Sequence, residues 1–304
     1  MAQTKNKIFD ELFKALMRLS DIAVISFINA LFDTTHPLDS KVTRQNTEFP
    51  KRGGGKLFSD MVITITSPDG RDARSYLIEC QIDDDDTMAF RVFEYAFAFG
   101  KQDLQEKDGV LTLRFPQVRV IYLEPTSQTP DVQTLRLEFP DGSWDYQVKT
   151  VKVLDLSIRE LMDRKLGLLL PFYVLKIRKR LRKAKSPAAR KQLAEELKAI
   201  YGELAAAFKR GEAEGSITYR DREKLFEMTE QLHDRLYLGY TEFEEAHMLL
   251  DLTKIEKIDA LYDELEAARE EKQEALRRAE AREREKQEMA RRIRELEEQL
   301  SRKG

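Results

Sequence analysis

The sequence predicts an α/β protein in three parts: a mixed sheet flanked by helices over residues 1–157, an all-α region over 158–254, and a long charged helix over 255–304. Three observations predict it. Apolar runs with helical and strand-like spacing follow one another up to Leu154 as helix, three strands, helix, strand, then further strands. That alternation is the pattern of a layered α/β fold with a mixed sheet. Strand signals nearly vanish after residue 157, and from Glu256 to Leu300 the chain is mostly Glu, Lys, Arg, Ala, Gln and Leu, with neither Gly nor Pro.

The elements follow in order. Ile8 to Leu31 places Phe9, Leu12, Phe13, Leu16, Ile22, Ile25, Phe27, Ile28 and Leu31 at helical spacing, as one or two helices. Lys41 to Phe49 alternates weakly, as a first strand. Lys51-Arg52-Gly53-Gly54-Gly55-Lys56 is a basic loop, a connector more simply than a phosphate cradle. Two strand-like runs, Leu57–Ile65 and Tyr76–Ile82, flank the turn signal Ser67-Pro68-Asp69-Gly70 and predict a hairpin. Asp83 to Asp86 reads as a solvated loop with a helix N-cap. Thr87 to Leu104 reads as a helix, whose Phe90, Phe93 and Phe97, together with Trp144, are assigned to the core. Gln117–Leu123, Val132–Phe139 and Trp144–Leu154 read as strands, the last two joined by Pro140-Asp141-Gly142-Ser143. Leu161–Leu181, Ala188–Arg210 and Tyr219–Leu236 read as helices, with Gly211 and Gly215 marking a connector.

Charged residues make up 35% of the 304, yet the formal net charge is only −3, so both signs are interspersed. Net charge therefore decides nothing about nucleic acid, and distribution must. One cysteine excludes an internal disulfide framework and fits a reducing compartment. Three scattered histidines make a structural zinc site a poor expectation. Met1 to Lys7 lacks a secretory apolar core, and the apolar run Leu166–Ile177 is short and interrupted by Pro171. The expectation is a cytoplasmic protein without a membrane partner.

The chemistry concentrates on the predicted hairpin. Asp60 lies on its first strand, while Glu79 and Gln81, two apart, share one face of its second. A hard divalent cation such as Mg²⁺ (or Mn²⁺ or Ca²⁺) takes oxygen ligands, commonly one or two carboxylates with water and substrate phosphate. Asp60, Glu79 and the backbone carbonyl of Cys80 could supply them, with Gln81 orienting water or a phosphate oxygen. The plainer alternative is two solvated hairpin carboxylates. Against it, Glu79 follows Leu77-Ile78 in an otherwise buried pattern, where a carboxylate is costly unless paired or coordinated.

A wider set of residues carries a resemblance. Asp10-Glu11-Leu12-Phe13-Lys14, Ser59-Asp60-Met61-Val62, Glu79-Cys80-Gln81, then Asp85, Met88, Arg91 and Tyr95 resemble the PD-(D/E)XK nuclease-family transposases, also called Rpn-type recombination-promoting nucleases. The resemblance covers roughly residues 5 to 180. It implies a restriction-endonuclease-like core and a metal-dependent DNA endonuclease of recombination or mobile elements. Asp60 and Glu79 would be the metal ligands. Asp10 would add to the metal shell or, equally, be a carboxylate near a helix N-terminus. Gln81 stands where the wider superfamily carries a catalytic Lys, and an amide cannot supply a cation to developing phosphate charge. Either a nearby cation compensates, with Lys14 and Arg91 as candidates, or turnover is slow. Arg91 and Tyr95, one helical turn apart, support the site or brace the sheet.

Between Asp163 and Glu195 there is no acidic residue, while Arg178, Lys179, Arg180, Arg182 and Lys183 form a basic run. The segment reads as a phosphate-backbone contact for DNA, or else as a solvated helix surface or a partner for acidic segments. The carboxy-terminal helix places Ile258, Leu261, Leu265, Met289, Ile293, Leu296 and Leu300 at coiled-coil-like spacing, so a homodimer through this helix is expected, with a lone charged helix as the alternative. Two rival functions remain: a catalytically weak scaffold of the same fold acting through DNA binding and coiled-coil association, and a defence or toxin nuclease.

Overall fold

The computed structural model describes residues 2–45, 48–50, 56–58 and 61–248, with side chains over 8–45 and 61–248. These residues fall within one compact unit, Met1–Leu250. Asp60, the basic glycine loop 51–55 and the long helix read over 255–304 lie outside the described residues.

Two helices open the chain, α1 (Ala2–Leu16) and α2 (Asp21–Phe32). Ser20 separates them by capping α2, its side chain accepting from the Ala23 N–H. Strands β1 (Lys41–Arg44), β2 (Glu48–Pro50), β3 (Lys56–Phe58), β4 (Met61–Thr66) and β5 (Ala73–Gln81) follow, then α3 (Met88–Gly100). After α3 come a small hairpin of β6 (Gln105–Lys107) and β7 (Val110–Thr112), and strands β8 (Gln117–Tyr122), β9 (Val132–Phe139) and β10 (Gly142–Lys152). The chain continues with α4 (Ile158–Asp163), α5 (Arg178–Leu181), α6 (Pro187–Ala213) and α7 (Tyr219–Tyr237).

Six strands form one mixed sheet in the order β1-β4-β5-β8-β10-β9. The hairpin expected around Pro68 is present: β4 and β5 pair antiparallel from Met61 opposite Ile78 to Thr66 opposite Ala73. α3 carries the chain from β5 to β8, which pair in parallel, as do β8 and β10. The β1–β4 and β9–β10 pairs are antiparallel. The fold class is thus mixed α/β, a six-stranded mixed sheet flanked by helices.

Strand alternation divides the core in two. Ile63, Ile65, Tyr76, Ile78, Cys80 and Ile121 join a large cluster with Phe9, Phe13, Phe27, Leu161, Phe172, Tyr201 and Leu232. Val62, Leu77, Val118, Val120, Tyr122 and Val148 point the other way, against Met88, Val92, Tyr95 and Ala96 of α3. The composition shift near residue 157 therefore separates no second core, because α4, α6 and α7 complete the layer over the first face of the sheet.

Two expectations differ from the structure. Leu161–Leu181 is not one helix: α4 ends, Lys165 takes a left-handed backbone with φ 57°, and Gly167–Ile177 runs as a 3₁₀ segment containing Pro171. Proline has no N–H and clashes with the carbonyl four residues back, so an α-helix cannot run through it unbroken. The assignment of Phe90, Phe97 and Trp144 to the core is also corrected, because all three are about half exposed. β8 pairs with β10 only along Lys149–Lys152, so the Trp144 end of β10 runs with β9 past the sheet. Among the described residues no single helix is long and apolar enough to cross a membrane.

Candidate active site

Strand alternation puts Glu79 on the α3 side of the sheet, between Leu77 and Gln81. Its residue is 1% exposed. Across the parallel ladder Val120 stands opposite Glu79, and Tyr122 opposite Gln81. Cys80 turns its side chain to the other face, into the large cluster, and is buried. Gln81 is half-buried at the carboxyl end of β5. Open α/β sheets commonly bind ligands at the carboxyl ends of their parallel strands.

α3 supplies a cation that interacts electrostatically with this carboxylate. Arg91 Nη1 donates to Asp85 Oδ2 at 2.7 Å, while Nε and Nη2 each lie 3.4 Å from the Tyr95 hydroxyl. Burial works against the guanidinium charge, but the bonds to Tyr95 and Asp85 and the nearby negative charge of Glu79 outweigh it and raise its pKa. Arg91 thus stays charged beside Glu79. Burial would likewise raise Asp85, yet bonds from Thr87 (2.8 Å from its N–H, 2.6 Å from its hydroxyl) and from Arg91 hold its pKa below the ordinary carboxylate value. Gln133 on β9 closes the ring of polar groups, donating to the Tyr122 hydroxyl at 2.7 Å. Burial pushes that phenol up to about 12, so it is a neutral hydroxyl at physiological pH.

Of the acidic run, Asp84 accepts from Thr126 at 2.5 Å and from Thr129, tying the loop after β5 to the loop after β8. Asp85 precedes α3 and is tied to it by accepting from Thr87, the N-cap position, and from Arg91. Asp83 to Asp86 form the expected loop, but the expected cap is corrected: the N-cap of α3 is Thr87, and no side chain caps the helix there.

Asp10 and Lys14 lie one turn apart on α1, both half-buried. Their apolar neighbours Phe9, Leu12 and Phe13 belong to the large cluster, on the sheet face away from Glu79. Glu79, Gln81 and Arg91 are thus brought to one face, while Asp10 and Lys14 come from a helix packed on the other. Among the described residues no three His, Cys, Asp or Glu side chains are grouped to hold a metal ion. Glu79 offers a hard carboxylate oxygen of the kind Mg²⁺ prefers, and its expected partner Asp60 lies outside the described residues.

The basic run is where the structure departs furthest from expectation. Arg178 is an internal counter-ion: its Nε donates to Glu124 Oε1 at 3.0 Å and its Nη2 to Oε2. Glu124 is 1% exposed and the Arg178 side chain 12%. Lys179 donates to the Glu124 backbone carbonyl at 3.1 Å, and Arg180 pairs with Glu196 at 2.6 Å. A guanidinium satisfied in this way cannot also neutralise phosphate without breaking the fold, so Arg178 is removed from the phosphate-contact set. Arg182 and Lys183 are exposed.

Sequence reasoning passed over Glu124. The signal was present, since Glu124 ends the apolar run Val118–Leu123 just as Glu79 interrupts Leu77-Ile78. No family model matches this chain, no curated protein matches it, and no solved structure matches it.

Proposed function

We propose that this protein is a metal-dependent DNA endonuclease that hydrolyses phosphodiesters with a metal-activated water, in the setting of recombination or mobile DNA. The observation that carries the reading is Glu79: a carboxylate 1% exposed, on a central strand near its carboxyl end, beside a charged guanidinium. Such burial costs several kcal/mol unless cations or hydrogen bonds offset it, about the scale at which a functional reason is expected. Asp60 immediately precedes β4 in the sequence, and β4 begins at Met61, opposite Ile78. Asp60, Glu79 and the Cys80 carbonyl would hold Mg²⁺ or Mn²⁺, with Ca²⁺ able to occupy the same oxygen set, while Asp10, on a helix packed against the other face, drops out of the ligand set. When bound, the ion lowers the pKa of water and polarises the phosphate.

The chain's own residues do the rest. The Gln81 amide orients the water or a phosphate oxygen but adds no positive charge. Arg91, held charged by Asp85 and Tyr95, supplies the electrostatic stabilisation that a lysine at position 81 would give. Arg182 and Lys183 are the first candidates for backbone contact, followed by Lys179, half-exposed though its Nζ bonds the Glu124 carbonyl, and by Lys14 on α1. Coiled-coil pairing through residues 255–304 belongs to the same proposal.

One observation favours a second reading, a weak or inactive scaffold. Arg91 is committed to Asp85 and Tyr95, and position 81 is an amide. The two readings separate on plasmid cleavage with Mg²⁺ or Mn²⁺ by wild type, Asp60→Ala and Glu79→Ala. Metal-dependent cutting by wild type alone supports the enzyme. Equal inertness of all three, with plasmid retained in a gel-shift assay, leaves the scaffold.

A further inference from the structure

Strand β9 closes one end of the sheet with an edge that pairs nothing among the described residues. It matches β10 through eight consecutive pairs, Val132 opposite Lys149 to Phe139 opposite Gly142, without a bulge. Its sequence, Val-Gln-Thr-Leu-Arg-Leu-Glu-Phe, has no Pro, Gly or Lys. Proteins ordinarily guard a long edge with such devices, because its free N–H and C=O groups template another strand. The opposite edge, β1, is only four residues long.

The two faces of β9 differ. Gln133 reaches Tyr122 on the α3 side, so Leu135, Leu137 and Phe139 line that side too. Trp144 stands opposite Leu137 and Tyr146 opposite Leu135. Trp144 and Tyr146 ring centroids are 5.9 Å apart, and Tyr146 meets Phe93 at 5.3 Å. This apolar surface is open: Phe139 is 56% and Trp144 54% exposed. The other side of β9 carries Glu138 and Arg136, the latter donating through Nε and Nη2 to Asp145 opposite it on β10 while its side chain stays 62% exposed at the edge.

We propose that β9 is a self-association edge, at which a second copy of the chain adds its own β9 antiparallel with Leu137 opposite Leu137. In that register Arg136 meets the second copy's Glu138 and Glu138 meets its Arg136, while Leu135 meets Phe139. Shifting by one pair in either direction sets Arg136 on Arg136 or Glu138 on Glu138, and a one-residue slip turns apolar side chains onto charged ones. Charge and apolar pattern therefore agree on one register. The two-fold axis stands perpendicular to the strands, the two six-stranded sheets become continuous, and both α3 faces look the same way.

Cysteine pairing reads the register in the full-length chain, where the single native cysteine, Cys80, is buried. Residues directly opposite in an antiparallel pair lie about 4.5–5.5 Å apart at Cα, within disulfide reach. Leu137→Cys is expected to give a disulfide-linked dimer under mild oxidation, roughly tenfold more than Ser143→Cys at the exposed end of β10. Arg136→Cys and Glu138→Cys should each fail alone but cross-link when mixed, which tests the same register should Leu137→Cys not fold. Adding Arg136→Glu to Leu137→Cys should lower the yield, and adding Glu138→Arg as well should restore it. Cross-linking at Ser143 as strong as at Leu137, or none in either the Leu137 variant or the mixture, overturns the proposal. The pattern is specific to β9 whatever other contacts hold two chains together.

Discussion

Arg178 donates through two nitrogens to both carboxylate oxygens of Glu124, a residue 54 positions earlier at the end of β8. The pair joins the sheet to the helical region, and the Arg178 guanidinium also lies 5.6 Å from the Phe9 ring centroid on α1. Arg178→Ala would leave Glu124 buried and uncompensated, a loss on the order of 3–5 kcal/mol. A large fall in the urea midpoint is expected, whereas Arg182→Ala and Lys183→Ala on the exposed turn should each stay within about 0.5 kcal/mol. If Arg178→Ala unfolds like wild type, the pair does not hold the layers together.

Those exposed cations should report on DNA instead. Neutralising Arg182 and Lys183 together is expected to weaken retention of any duplex by a similar factor and to flatten the salt dependence by roughly two phosphate contacts. Gel-shift titrations at several salt concentrations measure both. An unchanged slope would assign the basic run to the protein's own carboxylates entirely.

Glu79→Gln keeps shape and removes charge. Under the proposed chemistry it should lower metal-dependent cleavage by about 100-fold or more. Its folded state should not suffer in the same way, because Arg91 keeps Asp85 and Tyr95. Loss of cutting with a retained melting temperature is the expected outcome, while equal loss of both would make Glu79 a structural charge.

Asp221 sets an acid limit. Buried at the start of α7, it accepts from the Thr218 N–H and hydroxyl and from the Ser20 N–H and hydroxyl, fastening α7 to the start of α2. Burial alone would raise its pKa, but the bonds from Ser20 and Thr218 prevail and hold it below 3.8. A carboxylate with a depressed folded pKa stabilises fully above its unfolded value and loses that contribution as pH falls through the folded one. Melting temperature should therefore drop as pH falls below about 5, and Asp221→Asn, about 1–2 kcal/mol less stable at neutral pH, should show a shallower drop.

Gly100 ends α3 against the segment leading to β8. A Cβ there would sit 2.6 Å from Leu113 Cδ2 and 2.8 Å from the Arg114 carbonyl oxygen. The side chain could yield but the backbone oxygen could not cheaply, so Gly100→Ala is expected to cost about 1–3 kcal/mol. Urea unfolding measures it, and a neutral result would mean that the Arg114 backbone moves freely.

Local signals carried most of the elements. The Pro68-Asp69-Gly70 turn, the helix over Met88–Gly100 and the apolar run beginning at Gln117 were legible because each owes its form to turn chemistry or periodicity within a few residues. The β6–β7 hairpin was equally signalled by Asp108-Gly109, both at positive φ, but its strands are only three residues long. Pro171 marked a break in the helical stretch before Leu181, although apolar spacing alone read through it. In the candidate site, Glu79 and Gln81 could be singled out by type and spacing, which placed them on one strand face, whereas Arg91 was drawn in by the resemblance.

The sequence by itself determined the alternation of elements and the two-faced character of the central strands, since both follow from side-chain period along the chain. Only the tertiary structure decided which distant charges are internal. Arg178 belongs to Glu124 and Trp144 to an open surface, because partners 54 residues apart, or a strand that outruns its neighbour, leave no trace in local spacing. Electrostatic partnership is set by distance in space, and distance along the chain does not report it.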